Sequence, residues 1–387
     1  MPNQFTEVTH KGFGSRILNS VIGVLIGILL FFGSFILLYW NEGQTDISKI
    51  AQTSTEIQSE KIDQTLEGTF VSLTGKLSTT ETLGDEYLKS GNYIALKRIV
   101  EMYAWNEDQV TKSEKNIGGS ETQTTTYTYH KEWTEKPEES SQFKHPEEHE
   151  NLSKKIQNAE YYAKNAQIGA YNFTPSMVVL PEYIDLRLSE ENIILNAEFK
   201  TTDSSYIYSG SANNPQIGDI RISYKFVPVS EVSTSLLANN ANFSNSATIF
   251  GKIKNNTIEP FVDEDGNRIY RIFYGSRDES IAAMKSEHNT LIWILRAVGF
   301  AMMWGGMMLV LGPISTLLDI LPILGSISGF FIALATFLIA LILSVITILV
   351  SMIFHNIIAL IFALLIAIFF IVRYIRQKTA KNKIINS

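Results

Sequence analysis

Val21-Ile22-Gly23-Val24-Leu25-Ile26-Gly27-Ile28-Leu29-Leu30-Phe31-Phe32-Gly33-Ser34-Phe35-Ile36-Leu37-Leu38-Tyr39-Trp40 decides the architecture of this chain: its apolar run is broken only by Gly and Ser. A bilayer core needs about 20 consecutive apolar residues for a spanning helix. Inside it every backbone amide must be satisfied within the segment, which selects a helix. Three further runs of this kind, Leu291–Leu311, Phe330–Met352 and Ile357–Val372, crowd the other end. The pattern predicts a multispan α-helical membrane protein with four transmembrane helices, one plus three. A large mostly-β, α+β extracytoplasmic domain lies between spans one and two. The expected divisions are a cytoplasmic N-terminus at 1–16, span one at 17–40, the outer domain at 41–290 and span two at 291–311. A cytoplasmic link at 312–329, span three at 330–353, span four at 356–372 and a basic tail at 373–387 complete them.

Charge partitions along the same lines. Residues 44–290 hold 36 acidic against 24 basic side chains, a net of −12. Such a surface repels phosphate backbones and argues against nucleic acid. The absence of cysteine excludes disulfides, thiol nucleophiles and thiolate metal sites. The first run is too long for a signal-peptide core, and Tyr39-Trp40-Asn41-Glu42-Gly43 is no small-residue cleavage site, so a retained anchor is expected. Tyr39 and Trp40 fall where an interfacial aromatic belt sits. Lys11 and Arg16 before span one, and Arg373, Arg376, Lys378, Lys381 and Lys383 after span four, place both termini in the cytoplasm by the positive-inside rule. Residues 41–290 are then periplasmic or extracellular on a bacterial inner membrane. In a eukaryote they face the lumen of the endoplasmic reticulum or inner nuclear membrane. The link around Asp319 has no Lys or Arg of its own.

Within the outer domain, 44–66 reads as a short helix and Gly68–Leu77 as a strand. Arg98–Trp105 and Thr126–Trp133 form a hairpin pair, with Tyr127, Tyr129 and Trp133 on one face and the Lys131 stem between them. The connection around Lys115–Gln123 reads as a long, mobile loop, and 138–165 as exposed and helix-permissive. Strands follow at 193–199, 205–208, 219–227, 248–253, 259–262 and 267–273, with a turn at Asp265-Gly266-Asn267. Asp278–Asn289 leads as a helix into span two.

Few residues suggest chemistry. His145-Pro146-Glu147-Glu148-His149 has the four-residue spacing of two helical zinc ligands, but proline separates them and no third ligand is evident. Asp263-Glu264-Asp265-Gly266 puts glycine too early for a calcium loop. There is no G-x-S-x-G, phosphate loop or dinucleotide fingerprint, and His10, His130, His288 and His355 are scattered. No catalytic, cofactor or metal residue is assigned and no cofactor is expected. Gly23-x-x-x-Gly27 and Gly299 with Gly305-Gly306 permit close helix approach. Arg296, one turn into span two, has two readings, snorkelling to headgroups or pairing with Glu42. His355-Asn356 marks a tight turn between spans three and four. Asn151, Asn172, Asn242 and Asn255 begin glycosylation acceptor patterns, which matter only in a eukaryotic lumen.

Taken in order, the motifs resemble the transmembrane protein 43 family, also called LUMA. The resemblance rests on Asn41-Glu42-Gly43 after span one, on Glu101, Tyr103 and Trp105 of Arg98–Trp105, and on Tyr127, Tyr129 and Trp133 of the following strand. Gly218, Asp219 and Arg221 of the Gly218–Ser223 segment add to it, as do Arg296 and Gly299 at the start of span two. It implies an organiser of membrane proteins without enzymatic activity, with relatives in bacteria, where nuclear-envelope partners do not exist. The expected function is a non-enzymatic integral membrane scaffold whose outer domain binds protein partners or lipid at the membrane surface. Membrane lipid, other membrane proteins and a second copy in a homo-oligomer are the expected partners. The alternative is a membrane-anchored sensor or adaptor with a ligand pocket in the outer domain; a membrane hydrolase or transporter ranks below both.

Overall fold

One long strand runs from Tyr93 to Lys115, buried and half-buried residues alternating from Val100 to Trp105, and its two faces organise a sheet. Strand Ile220–Pro228 pairs with it antiparallel, from Ile220 opposite Met102 to Phe226 opposite Leu96. The register shifts at Val227/Pro228, where proline has no N–H to offer the ladder. Leu96, Val100, Met102, Ala104, Ile222, Tyr224 and Phe226 point inward and are buried. Glu101, Tyr103 and Arg221, one residue out of phase, belong to the opposite face, because successive side chains of a strand alternate. In the computed structural model, residues 3–199, 201–237, 244–319 and 322–356 are described, together with 360–361, 365–366, 368–370 and 373.

Two compact units emerge. The first contains the residues up to Glu7, Asp46–Val110 and Thr125–Ser286. A first sheet, whose first three strands extend into the second unit at Val8–Lys11 and within Thr111–Thr124, runs Gln4–Lys11, Glu121–Thr134, Tyr93–Lys115, Ile220–Pro228, Ile207–Tyr208, Thr201–Thr202. A second runs Thr55–Gln58, Phe70–Gly75, Ala247–Lys254, Thr257–Glu259, Tyr171–Phe173, Ala166–Ile168, Leu77–Ser78. Only Lys76 separates the last strand from Phe70–Gly75, so this sheet curls back on itself around Val71, Leu73, Ile168, Tyr171, Phe173, Ile249 and Ile258. Helix α1 spans Phe13–Glu42; α2 (Ile47–Gln52), capped by the Asp46 carboxylate on the Ser48 amide, packs Ala51 with Phe70, Phe250, Ile281 and Met284.

The second unit comprises Val8–Thr45, Thr111–Thr124 and the residues from Glu287 on. Helix α3 covers Arg277–Val310, α4 Gly312–Leu318 and α5 Pro322–Phe354. Among the described residues, three helices are long and apolar enough to cross a membrane: the α1 helix, α3 and Gly329–Phe354 of α5. Leu38, Met303 and Ala340, one from each, form its core with Phe31, Phe35, Phe300 and Trp304. Gly27 and Gly306 bring α1 and α3 to backbone contact, since a Cβ on Gly27 would meet the Gly306 carbonyl at 2.7 Å. Nine of the seventeen residues of the expected fourth span (356–372), and all of the tail except Arg373, lie outside the described residues, as does Asn242.

Several expectations are corrected. The supposed loop at 115–123 is strand up to Lys115, a turn closed by Asn116 and Ser120, and strand again from Glu121; cross-strand hydrogen bonds hold it although both faces are polar. Residues 138–165 hold only a 3-10 turn at Ser140–Gln142 and a strand at Ala159–Tyr162. The run at 193–199 makes a single bridge, Ile193 to Leu88, because the Asn196 side chain closes a turn on Phe199. The link expected at 312–329 is largely helical, and α5 begins at Pro322, proline suiting a first helical position. The N-terminal segment forms an edge strand: Phe5 packs with Tyr129 and Phe143, and Glu7 pairs with Lys144 at 3.0 Å. Residues of the expected N-terminal segment and of 121–134 thus share one sheet.

Candidate functional site

Antiparallel register sets Arg221 directly across from Glu101. Their side chains make a two-pronged pair, Arg221 Nε to Glu101 Oε2 at 2.7 Å and Nη2 to Oε1 at 2.9 Å. The guanidinium lies 4.9 Å from the Trp133 ring centroid and 4.2 Å from that of Tyr206. Tyr103 packs against Trp133 at 5.3 Å. Burial works against the Arg221 charge, but the Glu101 carboxylate outweighs it and raises the pKa. A cation held between ring faces with both prongs on a carboxylate is a rigid strut. Gly218, at φ +91°, turns the chain so that its N–H reaches the Tyr103 carbonyl while the Tyr103 N–H reaches the Asp219 carbonyl. The Asp219 carboxylate takes the Gln216 N–H at 2.7 Å and closes that turn.

Further along the same face, Trp105, Tyr127 and Tyr129 meet Phe143 and Phe5. The Asn151 carboxamide substitutes for a neighbouring strand, accepting from the Trp105 N–H at 2.7 Å and donating to the Trp105 carbonyl at 2.9 Å. The side chain of this first glycosylation pattern is therefore already engaged. His149 is buried, stacks on Tyr129 at 3.9 Å and meets the Trp105 ring edge at 4.8 Å. Its Nδ1 lies 3.1 Å from the His145 carbonyl, and His145 stacks on Phe5 at 4.2 Å. The two histidines are packing residues, and among the described residues no three His, Asp or Glu gather as metal ligands. The Lys131 ammonium covers Trp105 at 4.6 Å, as the alternation predicts. Tyr129 donates to the Glu107 carboxylate and accepts from the His145 N–H; burial, then Glu107, pushes its pKa up to about 12.

The third group sits at one end of the helical unit. Arg296 reaches Glu42 with Nε–Oε1 at 2.8 Å and Nη2–Oε2 at 2.7 Å, and Trp293 lies 4.8 Å from the guanidinium. Of the two readings for Arg296, pairing is the one formed. Asn41 is fully buried and donates to the Ile292 carbonyl at 3.2 Å, leaving its own Oδ1 without a partner. Gly43 ends α1 with φ −88°, so no left-handed cap explains it. A Cβ there would meet the His355 ring at 2.5 Å, so any larger residue requires that side chain to move. Gly299 likewise admits Leu38. The apolar helix stops at Phe354, ahead of the expected turn at His355-Asn356.

The motif residues thus gather in three places, each held by its own internal bonds. A fourth group has no counterpart in the sequence reading. Asp85 accepts from Arg98 at 2.8 Å, from the Tyr224 hydroxyl at 2.7 Å and from the N–H groups of Tyr87 and Leu88. Burial first, then Asp85, raises the Tyr224 pKa. Arg98 opposite Tyr224 was a readable register pair, but Asp85 arrives from a loop and carried no signal. The Asp263 carboxylate, the one calcium candidate, is occupied by Asn267 and the Asp265 N–H at the hairpin tip.

The family described as Transmembrane protein 43 matches residues 102–357. The chain is 25% identical to mouse Transmembrane protein 43 over 334 residues, covering 82% of this chain and 80% of the mouse protein. It is 25% identical to the human protein over 331 residues, 81% of this chain and 80% of that one. The Drosophila homolog is 24% identical over 299 residues, 73% and 74% of the two chains. No solved structure matches.

Proposed function

Because this chain belongs to the transmembrane protein 43 family, we propose that it is a non-enzymatic integral membrane scaffold, its β-rich domain binding protein partners or lipid at the membrane surface. One observation carries the reading. The charged and aromatic motif residues are engaged with one another: Glu101 with Arg221, Arg221 between Trp133 and Tyr206, and Glu42 with Arg296. A reacting group must present a free lone pair or proton to a substrate, whereas these groups brace strands and helices. A two-sheet domain in a chain that also carries apolar, membrane-competent helices suits a presenting surface.

Proximity crosslinking of the full chain in native membranes, followed by affinity purification in mild detergent, tests this. Stoichiometric membrane-protein partners or self-oligomers are the expected result. A monomer without partners overturns the scaffold and favours a sensor, for which the groove lined by Thr55–Gln58, Lys61, Asp63 and Tyr171 is the first place to seek a ligand.

A further inference from the structure

Asp319 is the sole acidic residue after residue 290 and is 1% exposed. Two cations from distant parts of the chain meet it: Arg16 Nη2 on Oδ2 at 2.5 Å and Lys115 Nζ on Oδ1 at 2.7 Å. Arg16 also pairs with Glu121 at 3.0 Å and donates to the Gly119 carbonyl at 2.6 Å. Phe13 packs so close to Gly119 that its ring leaves no room for a Cβ there. A buried carboxylate is costly unless paired, and here both oxygens have cationic donors. All of these residues belong to the helical unit.

We propose that this cluster is a clasp: the tip of the hairpin, Thr111–Thr124, is held on the membrane face that carries Arg16 and Asp319. The opposite end of α1 carries Glu42, 26 residues further on, roughly 39 Å at 1.5 Å per residue. The tip therefore does not share the exposure of Thr45, although both fall within the segment 41–290 that sequence alone assigns to one side. The clasp joins the N-terminal flank of α1, the α4–α5 turn and an element of the outer sheet in one charge network. Movement of the hairpin strands is thereby coupled to the ends of the helices.

The cysteine-free chain permits a direct test. Ile117, 87% exposed at the tip, and exposed Thr45 are each replaced by cysteine in separate full-length proteins. A membrane-impermeant maleimide is then applied to sealed membranes of each orientation. Labelling of Ile117→Cys and Thr45→Cys from opposite sides is expected; labelling from the same side overturns the clasp. A second measurement leaves the tip unmodified. Asp319→Asn frees Lys115, and tryptic cleavage after Lys115 should rise at least several-fold, with Asp319→Glu returning it toward the parent rate. Equal cleavage in all three also overturns the proposal.

Discussion

Neutralising Glu42 or Arg296 singly should destabilise the protein by about 2–4 kcal/mol, and neutralising both should cost little more than one. The two contacts at 2.8 and 2.7 Å are charge-assisted on both sides. Hydrogen bonds to charged groups contribute about 1.5–3 kcal/mol each. Removing one partner of a buried pair costs about 3–5 kcal/mol, because the remaining charge is left uncompensated. Glu42 is 5% exposed and Arg296 18%, so the lower part of that range applies, with some relief from solvent at the Arg296 end. Once one charge is gone, removing the other eliminates an unpaired group, which predicts a coupling of about 2 kcal/mol. The assay is unfolding of the full chain in mild detergent for the parent, Glu42→Gln, Arg296→Gln and the double variant. Tryptophan fluorescence follows unfolding, and Trp293 over the guanidinium is one of its five sources. Unconnected sites add within about 0.3–0.5 kcal/mol. Additivity within that margin would refute the pair and its role in locking α1 to α3.

Adjacent glycines should respond oppositely: Gly306→Ala meets Phe31 and Gly27 backbone below 3 Å and should cost about 1–3 kcal/mol, whereas Gly305→Ala meets nothing and should be neutral or stabilising by up to about 1 kcal/mol, both read in detergent melts. Arg221→Lys keeps the charge but loses the two-pronged geometry and the ring stacking, an expected loss of about 1–3 kcal/mol in the same melts; an unchanged midpoint would contradict the strut. Asn151→Asp turns the carboxamide donor into an acceptor facing the Trp105 carbonyl, and about 1–3 kcal/mol should be lost, measured by chemical denaturation. Tyr129 has its folded pKa raised to about 12 against an ordinary value of 10, so its neutral form contributes stability present below pH 10 and lost as pH rises to 12. At 1.36 kcal/mol per unit this is about 2–3 kcal/mol, and Tyr129→Phe should flatten the alkaline decline by that amount.

The helices were legible because lipid imposes one demand over twenty residues, and Val21–Trp40 or Phe330–Met352 can meet it in only one way. The strands of the β-rich domain were legible where one face is buried, as in Arg221-Ile222-Ser223-Tyr224-Lys225-Phe226. Where both faces are polar the alternation vanishes, which is why Lys115–Gln123 read as loop although the strand runs to Lys115 and resumes at Glu121. The run at 193–199 failed in the other direction: it is apolar enough for a strand, but a local Asn196 turn competes with the ladder. Motif resemblance named Glu101, Trp133 and Arg221 as important without showing that they touch. Register supplied that contact, and register depends on which strands become neighbours.

Sequence by itself determined that this chain has several membrane-competent helices and an acidic, mostly-β insertion, because hydropathy and period are local properties of consecutive residues. It also determined the family, since the motifs keep their order along the chain. Tertiary structure alone decided that Arg16, Lys115 and Asp319 form one cluster, that Asn151 acts as a strand for Trp105, and that Gly43 yields to a histidine 312 residues away. These are contacts between charges, amides and rings far apart in the chain. Which partner each finds is fixed only when packing brings the segments together, because the attraction itself is blind to position in the sequence.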